Sequence, residues 1–290
     1  MRILILGGDG MLGHQLLKHF SVNHQASVTL RQDEDQYRHY GLFNQTNAYY
    51  GIDVRSFGLL AEVFAEFQPD AVINAVGIVK QRSSSKESIP SIELNALLPH
   101  KLTLLCKMAG ARLVHMGTDC VFSGKKGNYV ESDMPDATDL YGRTKLLGEL
   151  SDSHCVTLRT SIIGLELARK KSLVEWYLAQ RGEIKGFKKA IYSGFTTIEM
   201  ARIIEFVLLD CPSLHGVWHA APKPINKYDL LNMLTKALAR NDIVLKPEVD
   251  FVCDRSLLAD AFIKETGYRP PEWEAMIDEL ASEIKHRGEA

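Results

Sequence analysis

The chain opens with a short apolar run, Ile3–Leu6, which ends on a glycine and gives way to apolar residues at helical spacing through Phe20. That change of period predicts a strand, a tight turn and a helix. The alternation recurs down the first half. Ala26–Leu30 reads as a strand. Ser56–Phe67 places Phe57, Leu60, Val63, Phe64 and Phe67 at helical spacing, and Pro69 stops it before the strand Ala71–Ala75. Lys80–Pro90 is a polar loop, Ile92–Met108 a helix closed by Gly110, Arg112–Met116 a strand, Leu140–Leu150 a helix and Val156–Arg159 the start of a strand. Strands alternating with helices predict right-handed βαβ units on a parallel sheet, an α/β fold of the doubly wound Rossmann kind.

After about residue 160 the pattern loosens. Helical segments are expected near Ser172–Gln180, Thr197–Leu209, Lys227–Ala239 and Glu272–His286, with short strands between them such as Val217–Ala220. No repeat, low-complexity tract or linker marks a boundary. The division that follows is residues 1–160 as a dinucleotide-binding domain and 161–290 as a smaller, mainly substrate-binding α/β part. The chain is free to cross between the two, and a ligand cleft is expected between them.

The dinucleotide enters through the glycines at 7, 10 and 13. Gly7 lets the chain turn off the first strand, Gly10 lets backbone approach a pyrophosphate, and Gly13 lets the helix pack close to the sheet. The helix N-terminus then offers free N–H groups and partial positive charge to phosphates. Glycines at such spacing also occur in plain turns; the strand before and the helix after are what point to a ligand.

Composition adds mainly exclusions. A length of 290 residues suffices for about two domains. A formal net charge of −2 gives no sign of nucleic acid or an anionic membrane as partner. Five scattered cysteines, none in C-x-x-C, read as reduced thiols. The N-terminus lacks the pattern of a signal peptide and no apolar run is long enough to span a bilayer, so a cytoplasmic protein is expected. His14, His19, His115 and His219 show no metal spacing and read as surface or packed side chains.

The candidate chemistry lies in Tyr141-Gly-Arg-Thr-Lys145. Residues i and i+4 share a helix face, so phenol and ammonium can serve one site. A nearby cation favours phenolate, which prepares the tyrosine to hand a proton to a carbonyl oxygen. One such pair is about what chance gives in this composition, and a solvated helix face is the plain alternative. Its weight comes from standing downstream of the glycine turn and of a strand ending Met116-Gly117-Thr118. Thr118 sits where a strand's C-terminal end opens onto the crevice of a doubly wound sheet, and its hydroxyl can donate to the same carbonyl. The alternative for Thr118 is a turn or cap hydroxyl.

Together the glycines, Asn74-Ala-Val-Gly77, Thr118 and Tyr141/Lys145 resemble an extended short-chain dehydrogenase/reductase. The segments GTDCVFSG (117–124), YGRTKLLGE (141–149), LRTSIIG (158–164) and WEAMIDELASE (273–283) are similar to the dTDP-4-dehydrorhamnose reductase family in particular. The resemblance implies a Thr118–Tyr141–Lys145 triad. Tyr141 would be the general acid, Lys145 would bind the nicotinamide ribose and tune Tyr141, and Thr118 would orient the keto group. It also implies that Met11 and Leu12 lie along the pyrophosphate, that Asp53 and Val54 flank the adenine, and that Ala75, Val76 and Gly77 line the dinucleotide. Asp53 reads equally as a helix cap before Ser56–Phe67, and Asn74–Gly77 as a strand end and turn.

Arg31 bears on the cofactor. The second strand ends Thr29-Leu30-Arg31-Gln32 without an acid to accept from a ribose 2′-hydroxyl, and an arginine there suits a 2′-phosphate. NADP is expected, with NAD open and an ordinary surface arginine the alternative. Cys120 stands where relatives carry Tyr and Ile162 where they carry Trp, and Asp254-Arg255-Ser256-Leu257 replaces their usual run. Both aromatic losses open room near the sugar, so a bulkier sugar, such as a UDP-linked acetamido 4-ketohexose, is expected to enter; drift at the cleft rim is the alternative. The resemblance thus implies reduction of the 4-keto group of a nucleotide-linked 6-deoxyhexose, in a rhamnose-like or related surface-polysaccharide route. Two other readings stay open: a nucleotide-sugar epimerase or dehydratase with retained NAD, and an NADP-binding regulatory subunit like that of methionine adenosyltransferase. No nucleic acid or membrane is expected as a partner, a nucleotide sugar is, no metal site is expected, and a homodimer stays open.

Overall fold

The computed structural model describes residues 1–78 and 87–289. In chain order the elements are β1 (Arg2–Leu6), α1 (Gly13–Phe20), β2 (Gln25–Thr29), β3 (Ala48–Tyr49), α2 (Phe57–Phe67), β4 (Ala71–Asn74), α3 (Ser88–Ser91), α4 (Leu98–Ala109), β5 (Arg112–Met116), α5 (Leu140–Leu147), β6 (Cys155–Arg159), β7 (Ile162–Ile163), α6 (Leu173–Leu178), β8 (Gly182–Tyr192), β9 (Phe195–Thr196), α7 (Thr197–Leu209), β10 (Gly216–His219), β11 (Ile225–Asn226), α8 (Lys227–Ala237), β12 (Ile243–Asp254), α9 (Asp260–Thr266) and α10 (Trp273–Glu289). Most of the expected loop Lys80–Pro90 lies outside the described residues. Its end is helical instead: α3 starts at Ser88 and runs through a π-helical turn, Ile92–Leu97, into α4.

The described residues form two compact units. The first comprises Met1–Gly117, Thr138–Leu158 and Ala201–Val217; the second comprises Thr118–Ala137, Arg159–Met200 and Trp218–Ala290. The main sheet runs β10-β6-β5-β4-β1-β2-β3. Its pairings β1–β2, β1–β4, β2–β3, β4–β5 and β5–β6 are parallel. This is the doubly wound order, with its reversal between β1 and β4. Strands covered by helices on both faces must be apolar throughout. Accordingly β4 and β6 are buried at every position. Leu4, Leu6, Leu60, Phe64, Val72, Leu102 and Leu113 belong to one core layer between this sheet and α2 and α4.

The second unit holds a three-stranded sheet, β11-β8-β12, and the small pair β7–β9. The expected short strands are there in β7, β9, β10 and β11, but β8 has 11 residues and β12 has 12. β12 is an edge, bulged between Glu248 and Val252, with Pro247 inside it. An edge strand tolerates proline and charge, so it carries none of the apolar signature that marks the central strands of the main sheet.

Candidate functional site

Gly7 leaves β1 with φ +85°, a conformation that side-chain-bearing residues rarely adopt. Its amide N–H donates to the Thr29 hydroxyl oxygen at 3.2 Å, and Gly8 N–H donates to Thr29 O at 3.0 Å. A Cβ at Gly7 would stand 2.9 Å from Val76 Cγ2, and one at Gly13 would run into the Gly7 carbonyl. The turn after β1 and the Ala75–Gly77 turn after β4 therefore meet at the sheet's reversal point. α1 begins without a side-chain cap at Leu12, so its first N–H groups take no partner from that residue's side chain. Leu12 is buried while Met11 is half-buried. Such a backbone cradle, kept clear by absent side chains, fits a dinucleotide pyrophosphate.

Arg31 is exposed one residue beyond the buried Leu30. Asp53 does not cap α2: Ser56 does, accepting from Leu59 N–H at 3.4 Å. The Asp53 carboxylate instead takes the Arg55 guanidinium and amide, with Arg55 Nε 3.0 Å from Oδ1, and these hydrogen bonds hold its pKa down at about 2. Arg31 adds a weaker attraction in the same direction. Arg55 also reaches Glu93 at 3.7 Å. Val54, beside this pair, is packed into the core.

Asp139 starts α5 by accepting from Gly142 N–H at 2.9 Å, which sets Tyr141 in its first turn and Lys145 one turn on. Tyr141 is half-buried. Lys145 is 5% exposed, with Nζ donating to Met116 O at 2.6 Å and lying 3.5 Å from His115 Nε2. Burial drives this ammonium down to about 8. Burial and, next, the Lys145 charge hold His115 well below the usual imidazole range. Behind His115 lies Asn74, with Nδ2 3.1 Å from His115 Nδ1. From the π-helical turn, Asn95 accepts from Ile78 N–H at 2.9 Å and lies 3.4 Å from the Thr144 hydroxyl. His115 is packed, as the sequence suggested. Asn95 and Arg55 are the residues of these networks that sequence reasoning missed; an asparagine inside a helix was the signal for the first.

In the second unit Thr118 is 5% exposed and is the cap of the Asp119–Val121 turn: its hydroxyl accepts from Cys120 N–H at 3.2 Å and donates to Asp119 Oδ1 at 3.3 Å. Burial raises the Asp119 carboxyl, opposed first by a hydrogen bond with Ser161. That bond makes neighbours of the segments carrying Cys120 and Ile162, both half-buried. Burial also pushes the Cys120 thiol up to about 12. The same unit has a cavity of about 170 Å³ walled by Leu173, Trp176, Phe187 and Leu231, with Lys185 and Lys227 beside them. Among the described residues no cluster suits a metal ion and no helix is long and apolar enough to cross a membrane.

A parallel sheet in doubly wound order, a glycine turn at its reversal point and a Tyr-x-x-x-Lys helix define the class: an extended short-chain dehydrogenase/reductase type of α/β fold. The family model described as the RmlD substrate binding domain matches residues 1–284, and the chain belongs to that family. It is 29% identical over 152 residues to dTDP-4-dehydrorhamnose reductase of Burkholderia thailandensis, covering 52% of this chain and 45% of that protein. It is 27% identical over 152 residues to methionine adenosyltransferase 2 subunit beta of Bos taurus, covering 51% and 41%. These matches thus span less than half the length of each relative. Among solved structures, dTDP-4-dehydrorhamnose reductase of Bacillus anthracis in complex with NADP superposes with a TM-score of 0.77 at 19% identity, covering 97% of this chain and 99% of that one.

Proposed function

We propose that this protein reduces the 4-keto group of a nucleotide-linked 6-deoxyhexose with NADPH. The observation that carries the proposal is Lys145: a lysine withdrawn from water, one helical turn beyond Tyr141, in the same unit as a glycine turn that admits no Cβ. Burying an ammonium is costly, so a lysine there points to chemistry rather than packing. The family's RmlD description and the reductase relatives support the same reading.

The glycine turn and α1 would hold the pyrophosphate, Arg31 the 2′-phosphate and Ala75–Gly77 the middle of the dinucleotide. When bound, the reduced nicotinamide supplies hydride to the sugar's C4. The chain supplies the rest. Tyr141 donates its phenolic proton to the carbonyl oxygen, which becomes the hydroxyl. Lys145 favours the phenolate left behind, and Thr118 orients the keto group by a hydrogen bond. Trp176 and Phe187 offer two aromatic walls to the nucleotide's base, with Lys185 and Lys227 suited to its phosphates. The shorter side chains Cys120 and Ile162 favour an acetamido sugar over the plain one. Comparing kcat/KM for UDP-linked acetamido and dTDP-linked plain 4-ketosugars tests that choice; a tenfold preference for the latter reverses it.

The similarity to methionine adenosyltransferase 2 subunit beta favours one other reading, an NADP-binding regulatory subunit. Co-purification with a synthetase, together with an absence of NADPH oxidation on any 4-ketosugar, would establish it.

A further inference from the structure

Arg31 is the cation proposed above for the 2′-phosphate, and an acid stands beside it. Beyond β2 and β3 the two chain segments run side by side. Leu30 N–H donates to Tyr49 O at 2.8 Å, Ile52 N–H to Leu30 O at 2.9 Å and Gly51 N–H to Gln32 O at 3.1 Å. These bonds set Arg31 and Asp53 on adjacent segments at one end of the sheet. Arg55 is the main stabiliser of the Asp53 carboxylate, and the Arg31 charge adds to it. A free carboxylate there would oppose a 2′-phosphate twice, by pairing with Arg31 and by repelling the anion. Asp53 is not free. Arg55 Nε lies 3.0 Å from Oδ1 and 3.1 Å from Oδ2, Nη2 reaches Oδ2, and the Arg55 N–H donates to Oδ1 at 3.0 Å. Nη1 lies 3.7 Å from Glu93 in the π-helical turn. The fork covers both oxygens, and α2 takes its side-chain cap from Ser56, so the pair is not needed to start that helix.

We propose that Arg55 is a positioning residue for cofactor choice: it occupies the Asp53 carboxylate, which leaves Arg31 open to a 2′-phosphate and keeps the acid from repelling it. This shielding deepens the NADP reading and rests on Arg31 meeting that phosphate. NADP and NAD share their base, pyrophosphate and nicotinamide. The ratio of their affinities therefore isolates the 2′ position from any other contact that Asp53 or Arg55 makes. The side chains of Arg55 and Asp53 are 41% and 34% exposed, so water and salt screen the pair and the effect is several-fold. Another acid, Asp33, has a carboxylate oxygen 3.8 Å from where a Cβ at Gly51 would stand, and it supplies the comparison.

The test is calorimetric titration of the whole protein with NADP and with NAD, without substrate, so that binding is read and turnover is not. In Arg55→Met the preference for NADP over NAD should fall by about fivefold or more, and added salt should shrink the difference from wild type. Removing the freed acid as well, in Asp53→Asn with Arg55→Met, should restore the wild-type preference. Asp33→Asn with Arg55→Met should not. Asp53→Asn alone, which leaves the Arg55 charge unpaired by that acid, should keep or raise the preference, and it tests the shield even if Arg55→Met does not fold. A preference unchanged in Arg55→Met, restored equally by Asp33→Asn, or lowered in Asp53→Asn overturns the shield and leaves the Arg31 reading standing. A wild type with no preference for NADP overturns that reading and the shield together.

Discussion

The glycine turn and the lysine pocket both belong to the first unit, and they are built in opposite ways. The turn is defined by side chains that are missing: at Gly7 and Gly13 any Cβ would collide with Val76 or with the Gly7 carbonyl. The pocket is defined by side chains that are present and buried, with Asn74, His115 and Lys145 linked in series. The turn therefore fails when atoms are added, while the pocket fails when one of its buried polar groups loses its partner. In the proposed function one region sets where a ligand lies and the other what protons do, so their variants should separate binding from turnover.

The largest effect expected falls on the pocket's neighbour. Tyr141→Phe should lower kcat by on the order of 10² or more while NADPH still binds, measured by turnover and cofactor titration in parallel. Lys145→Ala should damage both turnover and affinity, and Thr118→Ala should cost less than Tyr141→Phe. On the turn, Gly13→Ala should do the reverse, abolishing cofactor binding first. Its overpacking should also destabilise the first unit by about 1–3 kcal/mol in denaturant unfolding. Arg31→Ala sharpens the binding side: it should cost NADP about 1.5–3 kcal/mol and NAD little, read by titrating each cofactor. In the second unit Trp176→Ala should weaken the nucleotide product by about 1–3 kcal/mol if the base stacks there.

A subtler effect is on stability against pH. The Lys145 pKa is depressed to about 8 from its ordinary 10.5, so the unfolded chain binds more protons between those values. Its contribution should therefore be unfavourable below about 8 and should fade as pH rises toward 10.5. Lys145→Met should remove this slope, and its melting temperature at neutral pH should exceed the wild type's. An unchanged slope would mean that the lysine is hydrated.

The two regions also differ in how far the sequence discloses them. The turn is legible because it is local: a strand, three glycines and a helix within the first 20 residues. In the main sheet β1, β2, β4, β5 and β6 are legible because burial on both faces keeps them mostly apolar, whereas β3, two residues long, carries no such run. The lysine pocket is not local. His115 meets Asn74 across 41 positions and Lys145 across 30, while Asn95 meets Thr144 across 49, so no spacing within a helix or strand announces them. β8 and β12 escape notice for a different reason. β8 alternates irregularly between core and solvent, β12 is buried only at Ile243, Pro247 lies within β12, and a bulge breaks its register. The Asp53–Arg55 pairing was hidden behind two other readings, an adenine contact and a helix cap; the structure gives the cap to Ser56 and pairs the carboxylate with Arg55.

The most direct test of the central claim follows NADPH oxidation by the purified protein given a nucleotide-linked 4-keto-6-deoxyhexose, with wild type and Tyr141→Phe side by side and the sugar product identified. The account predicts one hydroxyl formed at C4 per NADPH consumed, and a fall of on the order of 10² or more in the variant. No oxidation by the wild type with either the dTDP-linked or the UDP-linked ketosugar, or equal turnover by the variant, would contradict it.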